Sequence, residues 1–88
     1  MENQKPNRVI NVWEHDGWGN SIYWSDWNKR ELCGHLTPKP MVGDEIRDKL
    51  ESGKTGRFRV TNVDHATVHD MFWCNVSDVG YLEKDEQA

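Results

Sequence analysis

The segment DKLESGKTGRFRV (48–60) contains Gly53-Lys54-Thr55, the last three residues of a phosphate-binding loop of the form G-x-x-x-x-G-K-[ST]. The first glycine of that loop would fall at Asp48, whose carboxylate would face the phosphates. The loop must also precede a helix whose N-terminus meets the anion. Here the following residues, 57–63, alternate between apolar and polar as a strand does. The sequence therefore predicts a glycine turn between two strands rather than a nucleotide site.

A second group of residues has the types that bind zinc. Cys33 and His35 are two apart, so a strand would place both side chains on one face, and His65 with His69 would complete a tetrahedral site. The spacing C-x-H is not that of a common zinc knuckle, and the two halves of the set are 30 residues apart, from His35 to His65. We therefore favour buried cysteines and loop histidines, and we expect no cofactor; a small zinc-stabilised domain stays an alternative.

The same cysteines are poor candidates for a nucleophile. Cys33 with His35, or Cys74 with His69, would supply a thiol and a base, but no glycine-rich oxyanion loop follows either cysteine. Neighbouring carboxylates such as those of residues 44 and 45 would point to opposite faces of a strand, so they form no acid–base pair. The sequence predicts a protein that is not an enzyme.

The aromatic residues give the strongest indication of a binding surface, because the chain has five tryptophans in 88 residues. Trp18 lies between two glycines in a polar turn, where it either plugs one end of a barrel or stands exposed for a ligand. Alternation places Tyr23 and Trp27 on one face of a strand and Trp24 on the other. The predicted binding residues are Trp18, Tyr23, Trp27, Trp73, Lys54, Arg57 and Arg59.

Charge favours one class of partner over another. The net charge is −4, which opposes general binding to a phosphate backbone, although residues 47–59 carry five basic and two acidic residues. Trp, Tyr and Arg are the residue types that dominate protein interfaces. We therefore predict a protein partner. One such partner would be a protein with a basic groove that itself binds nucleic acid. Stacking of a nucleotide or single-stranded nucleic acid on the same aromatics is the alternative, and self-association stays open.

The rest of the chain is dominated by short segments typical of strands. Such segments occur at 8–14, 22–27, 31–36, 57–63, 71–76 and 79–82, with turn-forming residues between them. Gly34 would suit a bulge or a bend. The spacing predicts an all-β fold, a small barrel of five to six strands of SH3-like or OB-like type. Residues 42–50 fit either a strand or a helix. The neighbouring turn residues and the strand that follows favour an extended segment, and one short helix near 44–52 is the alternative.

The domain limits follow from composition. Residues 1–7 are polar and are expected to form a flexible arm, 8–82 a single domain, and 83–88 an acidic tail. No apolar run is long enough to span a bilayer, and the N-terminus does not resemble a signal peptide. We therefore expect no membrane partner and a cytoplasmic location.

Three motifs in the second half of the chain resemble those of small uncharacterised proteins of bacteriophages and bacteria. They are P-x-V-G-D-E-I at Pro40–Ile46, S-G-K-x-x-R-F-x-V at Ser52–Val60, and D-M-F-W-x-x-V-x-x-V-G-Y-L at Asp70–Leu82. The resemblance implies an all-β fold and a phage or prophage origin, in which case the host cytoplasm would be the location. It implies no catalytic residue.

Overall fold

A computed structural model describes residues 7–64 and 71–82 of the chain. This part contains strands β1 (Val9–Asn11), β2 (Asp16–Gly17), β3 (Asn20–Asp26), β4 (Glu31–His35), β5 (Glu45–Lys49), β6 (Thr55–Val63) and β7 (Met71–Leu82). A 3-10 helix, Val12–Glu14, joins β1 to β2. The predicted all-β class is confirmed, with seven strands in the described residues. Residues 1–6 of the predicted arm, the acidic tail and the histidines at 65 and 69 lie outside these residues.

The strands form one curled sheet, a half-barrel with the order β1-β5-β6-β7-β4-β3-β2. All neighbouring pairs are antiparallel except β1 and β5, which are parallel. The concave side of the sheet holds the core. Its buried members are Ile10, Ile22, Leu32, Leu36, Ile46, Phe58, Val60, Phe72, Cys74 and Val76. The side away from this core is called the outer face below.

Three expectations from the sequence are corrected. The short helix near 44–52 is wrong, because Glu45–Lys49 is a strand whose residue Ile46 pairs with Phe58 in the core. The first predicted strand ends at Asn11, where the chain turns into the 3-10 helix. The two last predicted strands are one strand, β7, which pairs with β6 through two register shifts.

The turn at Gly53-Lys54-Thr55 is as predicted. The backbone N–H of Leu50 donates to the carbonyl of Lys54 at 2.9 Å, and the N–H of Gly53 donates to the carbonyl of Leu50 at 3.0 Å. Strand β6 begins directly afterwards at Thr55, so a strand rather than a helix follows the glycine. The resemblance to a phosphate-binding loop is accidental.

Gly34 allows β3 and β4 to approach closely where the sheet curls. It pairs with Ile22 on β3, and a Cβ built on it would lie 2.2 Å from the backbone oxygen of Ser21. Backbone atoms cannot move aside as the end of a flexible side chain can, so any larger residue must push the two strands apart.

We therefore predict that Gly34→Ala lowers the free energy of unfolding by about 2–3 kcal/mol, the usual cost of overpacking a tight site. The matched control is Gly17→Ala, because a Cβ at Gly17 would meet nothing within 4 Å. Urea unfolding followed by tryptophan fluorescence measures both. Equal stability of the two variants would show that the close approach at Gly34 is not a constraint.

Candidate functional site

Two exposed aromatic side chains stand on either side of Cys33 on the outer face. Tyr23 on β3 pairs with Cys33 on β4, and Cys33 pairs with Trp73 on β7. Residues directly opposite each other on neighbouring strands share a face of the sheet. Tyr23 is 50% exposed and Trp73 is 37% exposed, whereas Cys33 between them is buried. The result is a shallow aromatic cleft with a thiol at its floor.

Trp18 extends this cleft toward one end of the sheet. It lies at the tip of the β2–β3 turn and is fully solvent-exposed, at 103% of its reference area. With Ser21 and His35 it lines an open groove of about 540 Å³. Ser21 and His35 pair with each other two residues along from Tyr23 and Cys33, so they lie on the same face. We call the continuous surface formed by Trp18, Ser21, Tyr23, Cys33, His35 and Trp73 the aromatic strip.

The surroundings of the aromatic strip are acidic. Strands β2, β3 and β4 contain no Lys or Arg. Asp16, which lines the groove at Trp18, and Glu31, which pairs with Asn75 beyond Trp73, bring carboxylates to this half of the outer face. A basic partner would therefore be attracted to the strip, and a phosphate backbone would be repelled.

Arg57 and Arg59 lie on the other half of the outer face, around Glu45. The carboxylate of Glu45 is inaccessible to solvent and accepts hydrogen bonds from Arg47 at 2.6 Å and from Arg57 at 3.0 Å, while Arg59 lies 3.9 Å away. Along β7, the partner of Arg59 is Ser77, four residues or about 13 Å from Trp73. The structure does not bring these arginines to the aromatic strip.

Glu45 is the residue of this cluster that the sequence analysis did not single out. The sequence did contain a signal for this ion-pair cluster. Glu45 and Arg47 alternate on one strand, Arg57 and Arg59 alternate on the next, and opposite charges on neighbouring strands often pair. Burial raises the pKa of the Glu45 carboxyl, but the hydrogen bonds from Arg57 and Arg47 outweigh it and hold this pKa below its ordinary value. The carboxylate is therefore ionised in the folded chain.

Trp27 is separated from Tyr23 by a bulge. The pairing of β3 with β4 shifts between Trp24 and Asp26, so strict alternation fails there. The rings of Trp24 and Trp27 meet edge-to-face with centroids 4.6 Å apart, and Trp27 also contacts Phe58 of the core at 5.8 Å. The prediction that Tyr23 and Trp27 share a face is wrong for this reason.

At this end of the sheet, cationic side chains of the chain itself lie against the exposed aromatic rings. The Arg30 guanidinium lies 4.1 Å from the centroid of the Trp27 ring and donates to Asp78, whose pKa these hydrogen bonds lower. The Lys49 ammonium lies 4.8 Å from the Trp13 ring. The predicted site residue Lys54 lies 5.7 Å from the Tyr81 ring, in the β5–β6 turn. Among the described residues, no such cation stacks on Trp18, Tyr23 or Trp73.

The cysteines are both buried, as predicted. Burial, with a smaller effect of Cys33, raises the pKa of the Cys74 thiol to about 12, so this thiol stays protonated. Cys33 forms a hydrogen bond with Tyr23, which raises the pKa of the tyrosine. Cys33 and His35 share a face of β4, but no three His, Cys, Asp or Glu side chains within residues 7–64 and 71–82 gather as a metal site would require.

In comparisons with known proteins, no family model, no curated protein and no solved structure matches the chain. In the part of the chain that the structure describes, no helix has the length and apolar character needed to cross a membrane.

We predict that Glu45→Gln lowers the free energy of unfolding near pH 7 by about 1–3 kcal/mol, because the half-buried guanidinium groups of Arg47 and Arg57 lose their hydrogen bonds to a charged acceptor. Because the pKa of Glu45 is lowered in the folded chain, the direction in which this stability difference changes with pH can also be predicted. The contribution of Glu45 is complete above the unfolded value of about 4.3 and is lost as pH falls through the lower folded value. The difference between wild type and Glu45→Gln should therefore narrow in acid.

Urea unfolding between pH 7 and acid measures this difference. Glu31→Gln is the control, since Glu31 lies on β4 and is not part of the ion-pair cluster of Glu45, and its loss should change stability by no more than about 0.5 kcal/mol. A gap between wild type and Glu45→Gln that stays constant with pH would contradict the ionised, arginine-paired carboxylate.

Proposed function

We propose that this chain is a non-enzymatic binding module that recognises a protein with a basic surface through the aromatic strip. One observation carries the proposal. Trp18, Tyr23 and Trp73 are exposed on a surface whose strands β2–β4 lack basic residues, while the exposed aromatics elsewhere hold cations of the chain itself. The exposed surface of these three rings is therefore accessible to another molecule.

Aromatic side chains suit this role because they have little conformational freedom to lose. An indole or phenol has two side-chain torsions, so its ordering at an interface costs less than that of a long flexible side chain. Interface residues of this kind each contribute about 2 kcal/mol or more when they enter a pocket on the partner. Trp18, at the tip of a tight hairpin, is the natural anchor, and Tyr23 with Trp73 would contact the partner further along the strip.

The nucleic-acid alternative is less well supported. Tyr23 and Trp73 could stack on bases, but single-strand binding also needs cations that follow the phosphates. Lys54 lies in a different turn, and Arg57 and Arg59 surround Glu45 on the other half of the outer face. A partner protein with lysines and arginines around an indole-sized pocket fits the acidic strip better.

Binding rather than catalysis fits the chemistry of the strip. Its thiol, Cys33, is buried and hydrogen-bonded with a tyrosine, not held by a base that would activate it. A phage origin and a cytoplasmic setting stay predictions from the sequence, as does the zinc alternative, two of whose residues lie outside the described part.

We expect Trp18→Ser and Trp73→Ser each to weaken partner capture at least about tenfold, because each removes an anchor without removing core. The immobilised chain is exposed to nuclease-treated bacterial lysate, and bound proteins are quantified by mass spectrometry. Tyr81→Ser is the matched control: Tyr81 is also exposed but lies on the opposite end of the sheet from Trp18, beside Lys54.

Capture that is unchanged by both tryptophan substitutions would contradict the proposal. A (dT)20 oligonucleotide provides the second arm. If it binds with an affinity that falls steeply between low and moderate salt, and if Trp73→Ser abolishes that binding, the nucleic-acid alternative is correct. Loss of a dimer in Trp18→Ser, measured by size-exclusion chromatography with light scattering, would identify a second copy as the partner.

A further inference from the structure

The half-barrel has a seam where two strands lose their neighbours at the same level. On one side, β3 pairs with β2 only at Asn20 and Ser21, and the last backbone bond there runs from the N–H of Ile22 to the carbonyl of His15. On the other side, β1 accompanies β5 only as far as Arg47. The cause is the 3-10 helix Val12–Glu14, which takes the chain out of the sheet between β1 and β2.

Below this helix, among the described residues, no strand pairs with β3 at 24–26 or with β5 at 48–49 on the seam side. A groove of about 620 Å³ opens there, within the range of pockets that hold ligands. Its floor is formed by the indole of Trp24, which packs against the core and donates to Asp48 at 2.7 Å. Trp27 and Leu50 form further apolar walls.

The seam combines a sheet edge with carboxylates. An edge strand presents N–H and C=O groups that a further strand can pair with. Asp48 and Glu51 line the groove; Glu51 is exposed and has no ion pair with the described residues. Lys49 also lines the groove, but its ammonium is directed to the Trp13 ring. The polar groups of the groove therefore complement a positively charged side chain.

We propose that this seam binds an extended, basic segment of a partner protein, which adds a strand to the open edge of β3. The backbone of the segment hydrogen-bonds at 24–26, and one arginine or lysine side chain reaches Asp48 and Glu51 over the indoles. The seam adjoins the aromatic strip at Tyr23, which precedes Trp24 on β3, but it shares no residue with the strip: Trp24 packs against the core rather than on the outer face, and the carboxylates belong to Asp48 and Glu51. The inference therefore holds or fails independently of the proposed function.

The test uses the whole chain and a short probe. The probe is a five-residue peptide, acetylated and amidated, with arginine at its centre and valine and threonine around it. Titration is followed by the ¹⁵N amide shifts of the chain. We expect saturable shifts at 24–26 and 48–52. Citrulline in place of arginine should weaken binding at least about fivefold, and N-methylation of alternate peptide amides should abolish it, because charge and strand pairing both contribute.

Two variants of the chain remove charge without removing shape. Asp48→Asn keeps an acceptor for the Trp24 indole, and Glu51→Gln changes an exposed residue, so both should stay folded. Each should weaken the arginine peptide about threefold or more and leave the citrulline peptide unaffected. Asp16→Asn is the control and should bind as wild type does, because Asp16 is an exposed acidic residue of β2 that pairs with Ser21, toward the hairpin end of β3, and does not line the groove.

Each possible result of these titrations either supports the proposal or overturns it. Absence of shifts at 24–26 with the peptide at about 5 mM, or equal binding of the citrulline peptide, would overturn the proposal. Shifts at 24–26 that depend on protein concentration without peptide would assign the seam to a second copy of this chain and would also overturn it. Loss of binding in Asp48→Asn and Glu51→Gln but not in Trp18→Ser would support the seam independently of the aromatic strip.

Discussion

The buried carboxylate of Glu45 is the constraint on which the arrangement of the sheet depends. An ionised group without access to water must be paired, and here the pairing comes from guanidinium groups on β5 and β6. A shift of either strand by one residue would turn these side chains toward the core and expose Ile46 and Phe58. The ion pairs and the hydrophobic core therefore specify the same register, and that register also fixes which face carries the arginines.

This arrangement divides the outer face into two halves with different chemistry. The arginines of β5 and β6 surround the Glu45 carboxylate, so their charge is directed to a structural ion pair. On β2, β3 and β4 there is no cation, and exposed rings lie among neutral and acidic side chains. Rings at the opposite end of the sheet are covered by Arg30, Lys49 and Lys54. The distribution of cations, rather than the number of tryptophans, distinguishes the aromatics that are available for binding.

The sequence predicted the parts of the fold that depend on a simple two-residue period. Residues 57–63 and 71–76 alternate, and Phe58, Val60, Phe72, Cys74 and Val76 are buried as expected. Trp27 was misplaced because a one-residue bulge reverses the period, and no residue type near Asp26 marks it. The 3-10 helix was missed because Val12 and Trp13 favour strands, and only tertiary context turns the chain there. Of the predicted site, the structure groups Trp18, Tyr23 and Trp73. The long-range pairing with Glu45 holds Arg57 and Arg59 elsewhere, and Lys54 lies beside Tyr81.

Solvent exposure of the individual indoles in the free chain tests the central claim most directly. The chain is labelled with 5-fluorotryptophan, the five ¹⁹F resonances are assigned with single Trp→Phe variants, and the shift between H2O and D2O is measured for each. The account predicts the largest isotope shift for Trp18, an intermediate one for Trp73 and the smallest for Trp24, which packs against the core. A monomeric chain in which Trp18 is shielded as fully as Trp24 would contradict it, because the aromatic strip would then have lost its anchor.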